Sequence, residues 1–239
     1  MVSTALDAAA KGYRQKGEAL AKEIGASLKK PADLSAIDPA WEAFLTAYHA
    51  LDDFGASSEE VELIRREYMD TVEWYQLVRT SLHEAAHSVV AHLVGLGIVR
   101  STVVPDEHGR GRTVIVDYDP AEDGSLPYWA RRYAVFAVAG FSGETLLAPR
   151  GPSPGADEDF KRALLYLARA GLDAKAEMPD LQKLAVELVL GAKPAVFGVA
   201  RTLLADRQIE RAMVLNILAG QLEMCALDQL EERRRELDR

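Results

Sequence analysis

The chain contains a single cysteine, Cys225, among its 239 residues. One cysteine cannot form a disulfide within the chain or supply a cysteine-based zinc site, and it fits a reducing compartment. Positive charge is also scarce, because 37 acidic residues outnumber 28 basic ones and leave a net charge of −9. This balance argues against nucleic acid or an anionic membrane surface as the main partner.

Long apolar runs are absent as well. A helix that crosses a membrane needs about 20 consecutive apolar residues, and no segment of the sequence approaches that length. The N-terminus carries Asp7 early and has no basic lead into an apolar core, so it lacks the pattern of a secretory signal. We therefore expect a cytoplasmic protein without a membrane span.

Residues 1–80 carry only helical patterns. Thr4 to Lys30 is rich in Ala, Lys, Glu and Leu and predicts a polar helix. Asp38-Pro39 opens a second helix, whose aromatic stripe predicts a core or docking surface. Ser57 to Glu60 begins a third helix with an acidic first turn. We interpret residues 1–80 as an N-terminal helical region that docks, covers or regulates the rest.

Residues 81–239 add β structure. Ile98 to Val104 and Arg112 to Tyr118 are rich in Val, Ile and Thr with a period of two, which predicts a hairpin. Helical patterns surround it, and Pro179 and Pro194 mark two late helix starts. The expected fold class is mainly α (α+β): a helical domain with a small β-hairpin or sheet, preceded by the N-terminal helical region.

The chemistry of the chain is concentrated in the segment His83-Glu84-Ala85-Ala86-His87. Residues four apart lie on one face of a helix, so both imidazoles can bind one metal ion. Glu84 would lie beside that ion and could take a proton from water, which is the H-E-x-x-H arrangement of zinc hydrolases. An exposed polar face is the alternative, and the apolar run that follows, Ser88 to Val94, argues against it.

The start of this helix has two interpretations. Ser81 with Glu84 three residues on fits a capping box, which would begin a helix at Ser81 and turn Glu84 toward the backbone. In the other interpretation the third helix continues past Arg79 into the histidines, since no helix breaker intervenes. We favour the second, because it leaves Glu84 available for catalysis.

A catalytic zinc site normally has three protein ligands. The third ligand could be any of four downstream carboxylates, and neither composition nor spacing chooses among them: Glu144, Asp157, Glu158 and Asp159.

Three segments in order resemble the consecutive motifs of the peptidase domain of FtsH-type ATP-dependent zinc proteases. His83 to Val90 is similar to the HEAGH motif, Ala139 to Glu144 to a GGRAAE-like helix, and Gly155 to Ala163 to GAxxDLxRA. The resemblance runs from about Ser81 to Arg169 and weakens beyond that. It implies that residues 81–239 form an FtsH-peptidase-like zinc domain with C-terminal helices.

The resemblance also implies roles for individual residues. His83, His87 and Asp159 would bind Zn²⁺, and Glu84 would be the catalytic base. Glu144 would support a ligand, although some zinc hydrolases use a downstream glutamate as the third ligand itself.

Several departures from the family pattern affect the expected function. Ala86 replaces a glycine, and Asp157 and Glu158 add carboxylates that could compete with Asp159. The sequence has no Gly-x-x-x-x-Gly-Lys-Ser/Thr loop, so the family's ATP-driven unfolding motor is missing from it. Substrates would then be flexible or unfolded polypeptides, unless a separate ATPase partner acts with the chain or with a homo-oligomer of it.

Two functional hypotheses follow. The first is a zinc-dependent metalloendopeptidase that acts on flexible or unfolded polypeptides without its own ATPase, with Glu84 activating water. The alternative is a catalytically silent, peptidase-like module that binds zinc or a partner. An intact Glu84 favours the first, because a structural zinc site has no use for a base and is normally closed by a fourth ligand.

Overall fold

The computed structural model describes residues 2–29, 37–51, 59–107, 109–116, 126–146, 154–222 and 237. Within these residues the fold is mainly helical with one small sheet, as the sequence predicts. The elements in chain order are α1 (Val2–Lys29), α2 (Ile37–Ala50), α3 (Glu59–Arg66), α4 (Met69–Leu93), β1 (Ile98–Thr102), β2 (Arg112–Ile115), α5 (Leu126–Glu144), α6 (Pro154–Arg169), α7 (Ala174–Gly191), α8 (Lys193–Asp206), β3 (Gln208–Glu210) and α9 (Arg211–Gln221). The chain divides into two compact units, Met1–Leu77 and Val78–Arg239.

The first unit has an aromatic core. Tyr13 of α1 is fully buried and lies 5.0 Å from Phe44 of α2, measured between ring centroids. Trp41 of α2 stacks on Tyr75 at 4.1 Å. The aromatic stripe of the second helix therefore forms core at Trp41 and Phe44. Aromatic contacts of this kind add to the stabilisation from burial alone.

The helix that carries the histidines is continuous. The third predicted helix is interrupted by a turn at Glu67-Tyr68, and α4 then runs from Met69 to Leu93. Ser81 lies well inside α4, so the capping-box start at Ser81 is wrong. The sequence between Met69 and Leu93 contains neither proline nor glycine, and nothing local ends the hydrogen-bond ladder there.

The sheet lies in the second unit and has the strand order β2-β1-β3, with both pairs antiparallel. The predicted hairpin is present, with Ser101 opposite Thr113. Its first strand is shorter than predicted and ends at Thr102, while the predicted end of the second, Tyr118, falls outside the described residues. The sequence analysis missed β3, in which Ile209 pairs with Ser101.

Of the remaining helices in the second unit, α6 and α7 pack against α5, and α8 packs against α9. One of them begins earlier than predicted: α7 starts at Ala174, and Pro179 lies inside it. The cause is Asp173, whose side chain accepts hydrogen bonds from the backbone N–H groups of Lys175 and Ala176 and so caps the helix. Pro194 does lie in the first turn of α8, as predicted.

None of the described helices is long and apolar enough to cross a membrane alone. Helices α7 and α8 reach the length and apolar composition of a membrane span only when they are counted together, and the two are bent by 78° relative to each other.

Candidate metal centre

Helix α4 brings His83 and His87 together one turn apart. Both side chains are buried, as is that of Glu84 between them in sequence. The Nε2 atoms of the two histidines lie 3.0 Å from each other. The periodicity of the helix accounts for this pairing, as the sequence analysis expected.

Helix α5 fixes the protonation of both rings. Nδ1 of His83 lies 2.7 Å from Oε1 of Glu144, and Nδ1 of His87 lies 2.7 Å from the main-chain oxygen of Phe136. A carboxylate and a carbonyl can only accept hydrogen bonds, so each Nδ1 carries the proton. When both rings are neutral, each Nε2 atom keeps a lone pair, and the two lone pairs point to the same place.

Helix α6 adds the carboxylate of Asp159 to the same point. Its Oδ2 lies 3.0 Å from Nε2 of His83 and 3.4 Å from Nε2 of His87. The three residues are buried, and one ligand atom from each lies within 4.8 Å of the other two. In the state where both Nε2 atoms are unprotonated, which is the state that binds a metal ion, Oδ2 has no hydrogen-bond donor among the described residues. Three buried acceptors without a donor need a cation, so the group could hold a metal ion.

The charges in this group favour a cation as well. Burial alone would lower the pKa of His83, but its hydrogen bonds to Asp159 and Glu144 outweigh burial and raise the pKa to about 10. Burial alone would raise the pKa of Asp159, yet the neighbouring His87 and His83 hold that pKa well below its usual range. In the absence of a metal ion, a proton held by His83 would take part of its role.

Glycine in α5 leaves space beside the three ligand atoms. A Cβ atom built on Gly140 would overlap Nε2 of His83 and Nε2 of His87. Any side chain at this position would therefore displace the two nitrogens or fill the space where an ion would lie. The absence of a side chain at Gly140 fits a metal site.

Glu144 lies outside the group of three ligand atoms. One of its carboxylate oxygens accepts the hydrogen bond from Nδ1 of His83, and the other lies 2.5 Å from Nη2 of Arg79. Arg79 is one helical turn before His83, on the same face of α4. Because Arg79 pairs with one oxygen of Glu144, the other oxygen is directed at Nδ1 of His83 and can accept its hydrogen bond.

No family model and no curated protein matches this chain. The resemblance to the FtsH-type peptidase domain therefore rests on the three sequence motifs.

The remaining candidate residues are distributed as follows. Asp157 and Glu158 are exposed on α6, where Glu158 pairs with Lys161 at 2.6 Å. Neither belongs to the group with Asp159.

Glu84 has a partner that the sequence analysis did not identify. The hydroxyl of Thr113 on β2 donates to Oε2 of Glu84 at 2.9 Å. The sequence analysis also missed Arg79 and Gly140. Arg79 had a usable signal, because it lies four residues before His83 on a helix. Gly140 and Thr113 had none beyond their place in a motif or a strand, since their contacts depend on how α5 and the sheet pack against α4.

Proposed function

We propose that this chain is a zinc-dependent metallopeptidase that hydrolyses flexible or unfolded polypeptides. The observation that supports this most directly is the convergence of two imidazole nitrogens and one carboxylate oxygen. His83, His87 and Asp159 supply these atoms, and both rings are held by acceptors at their other nitrogen. Glu84 follows the first of these residues and is buried with them.

The donor set supports zinc and an open catalytic site. Two imidazoles and one carboxylate suit zinc, and three protein ligands leave a position for water, whereas structural sites are closed by four. When bound, a zinc ion would act as a Lewis acid that polarises the scissile carbonyl and makes water more acidic.

The residues of the chain would then carry out the proton transfers and hold the geometry. Glu84 would accept a proton from the attacking water and deliver it to the leaving amine. Glu144 and the main-chain oxygen of Phe136 would fix the orientation of the two imidazoles. Arg79 would hold the Glu144 carboxylate in place through their ion pair.

The sheet supports a polypeptide substrate. Strand β2 is one of the two outer strands in the order β2-β1-β3 of the described residues, and Thr113 on it contacts Glu84. An extended polypeptide that pairs with β2 would therefore pass close to the proposed base. Such pairing requires a substrate without stable structure of its own, and a separate ATPase partner or a homo-oligomer would extend the range to folded proteins. We propose the cytoplasm as the site of action.

The test combines zinc content with hydrolysis of casein, an unstructured protein. We expect about one zinc ion per wild-type chain, chelator-sensitive cleavage, and loss of both in Asp159→Ala. Asp157→Ala is the matched control, because it removes an exposed carboxylate from the same helix and should keep both. Zinc binding without cleavage would favour the silent module, and equal zinc in Asp159→Ala and wild type would overturn the proposed ligand set.

A further inference from the structure

Three hydroxyl groups connect the proposed base to the sheet. Thr113 Oγ1 lies 2.9 Å from Oε2 of Glu84, and Ser101 Oγ lies 3.1 Å from Thr113 Oγ1. Ser88 Oγ lies 2.5 Å from Ser101 Oγ. The three residues come from three elements, since Ser88 is on α4, Ser101 on β1 and Thr113 on β2.

The proton count gives this row a direction. Each hydroxyl has one proton, and a carboxylate can only accept. If Ser88 donates to Ser101, Ser101 to Thr113 and Thr113 to Glu84, every contact in the row has one proton. The hydroxyl of Ser88 can instead donate to the main-chain oxygen of Glu84 at 2.9 Å, and Thr113 lies 3.0 Å from the same oxygen. The charged carboxylate is the stronger acceptor for Thr113, so the bond from Thr113 to Glu84 is the same whichever acceptor Ser88 uses.

Two of the three hydroxyl groups in this row lie in the protein interior. Ser88 and Ser101 are fully buried, and a buried hydroxyl is costly unless it is paired. Valine has almost the shape of threonine and would fill the position of Thr113 without needing a partner. The hydroxyls therefore serve a polar group, and the one at the end of the row is the Glu84 carboxylate.

The backbone beside β2 confines Glu84 further. A Cβ atom on Gly111 would come within 2.9 Å of both Cγ and Oε1 of Glu84. The Glu84 side chain thus has the main chain of Gly111 beside one carboxylate oxygen and the hydroxyl of Thr113 on the other. The contacts with Gly111 and Thr113 together limit the rotamers that the Glu84 side chain can adopt.

We propose that Thr113 is a positioning residue that holds the Glu84 carboxylate in its catalytic orientation through the row of hydroxyls from Ser88 and Ser101. This inference rests on the proposed function. It adds that β2 would have two roles. An extended substrate would pair with this strand, and Thr113 on the same strand would orient the Glu84 carboxylate.

The first test compares the zinc-loaded variants Thr113→Val and Thr113→Ser in casein hydrolysis. We expect Thr113→Val to lower kcat by about 10-fold with KM and zinc content unchanged, and Thr113→Ser to restore most of the rate because it keeps the hydroxyl. Thr102→Val is the matched control, because the hydroxyl of this sheet residue hydrogen-bonds to the main-chain oxygen of Arg207 instead. It should behave as wild type.

A second readout does not depend on activity. In chelator-treated protein, Thr113→Val should lower the thermal unfolding midpoint by about 2–4 °C when Glu84 is present, and by clearly less in a Glu84→Ala background. Additive midpoint shifts would overturn the proposal, as would a Thr113→Val enzyme as fast as wild type or a Thr113→Ser enzyme as slow as Thr113→Val.

The peptidase function and the positioning role of Thr113 can be refuted separately. A wild-type chain that binds zinc, cleaves nothing and still shows the Thr113–Glu84 coupling would refute the peptidase function, and with it any positioning role in catalysis. An active wild type whose rate is insensitive to Thr113 would refute the positioning role alone and leave the peptidase proposal standing.

Discussion

The carboxylate of Glu144 lies 2.7 Å from Nδ1 of His83, on the ring nitrogen that does not face Asp159. Because this carboxylate is also paired with Arg79, it is held as an acceptor and sets the tautomer that leaves Nε2 free to bind a cation. If His83 binds a metal ion, its ring is therefore oriented by Glu144, which does not itself belong to the ligand group.

Glu144→Ala should weaken zinc affinity by about 10- to 100-fold, because the His83 ring loses its fixed orientation. Glu144→Gln should lose less, since its amide oxygen can still accept the Nδ1 proton. Titration against a chromophoric chelator measures both, with Glu177→Ala as control, because Glu177 pairs with Arg131 on another part of the unit. A loss as complete as that of Asp159→Ala would make Glu144 a ligand, and no loss would remove its supporting role.

Gly140→Ala should abolish zinc binding, because the added methyl group would overlap Nε2 of both His83 and His87. Gly220→Ala is the matched control: a Cβ at this helical glycine meets no atom within 4 Å, so it should bind zinc normally and be slightly more stable. Zinc content after dialysis and the unfolding midpoint distinguish the two variants. Full zinc content in Gly140→Ala would show that the ligand atoms can move apart without penalty.

Glu84→Gln should reduce casein hydrolysis by at least about 10²-fold while zinc content stays near one per chain. The amide keeps the size of the side chain and can still accept from Thr113, but it cannot accept the proton of water. Zinc content and turnover are measured on the same preparation. Activity that persists in this variant contradicts the role of Glu84 as base.

The metal-free protein should lose stability as the pH rises from 7 to 10. The folded-state pKa of His83 is raised from 6.5 to about 10, so the contribution of its protonated ring is complete below pH 6.5 and is lost as the pH passes through 10. The measurement is the thermal midpoint of chelator-treated protein at pH 6, 8 and 10.

His83→Gln provides the reference for that titration, because it removes this group and leaves the other titrating residues. The wild type should lose more of its midpoint than the variant over the same pH range. Equal losses would mean that His83 is not protonated in the folded metal-free chain.

The sequence was most informative where local geometry decides the outcome. Helical spacing alone brings His83 and His87 together, and the alternation of Val, Ile and Thr predicts the hairpin at β1 and β2. The choice of Asp159 over neighbouring carboxylates came from the family resemblance. In the structure it follows from the packing of α6 on α5, which buries Asp159 and leaves Asp157 exposed.

The sequence was least informative where distant segments meet. Strand β3 has three residues and no periodic pattern to predict it, and it forms because it pairs with β1. Pro179 predicts a helix start because proline is favoured in the first turn, but the side chain of Asp173 caps the helix earlier in the chain. The contact between Thr113 and Glu84 depends on the docking of the sheet on α4, which no single-sequence pattern specifies.

The pairing of Ser101 with Ile209 has a consequence for how the chain is made. During synthesis on a ribosome, every residue of the candidate metal centre emerges before Gln208. Strand β1 can therefore pair with β3 only after the candidate ligands have emerged. Before Gln208 emerges, a nascent chain would contain the candidate ligands, but the edge of β1 that later pairs with β3 would be open. An open strand edge is a site for aggregation. The sheet can therefore be completed only after all the candidate ligands have been synthesised.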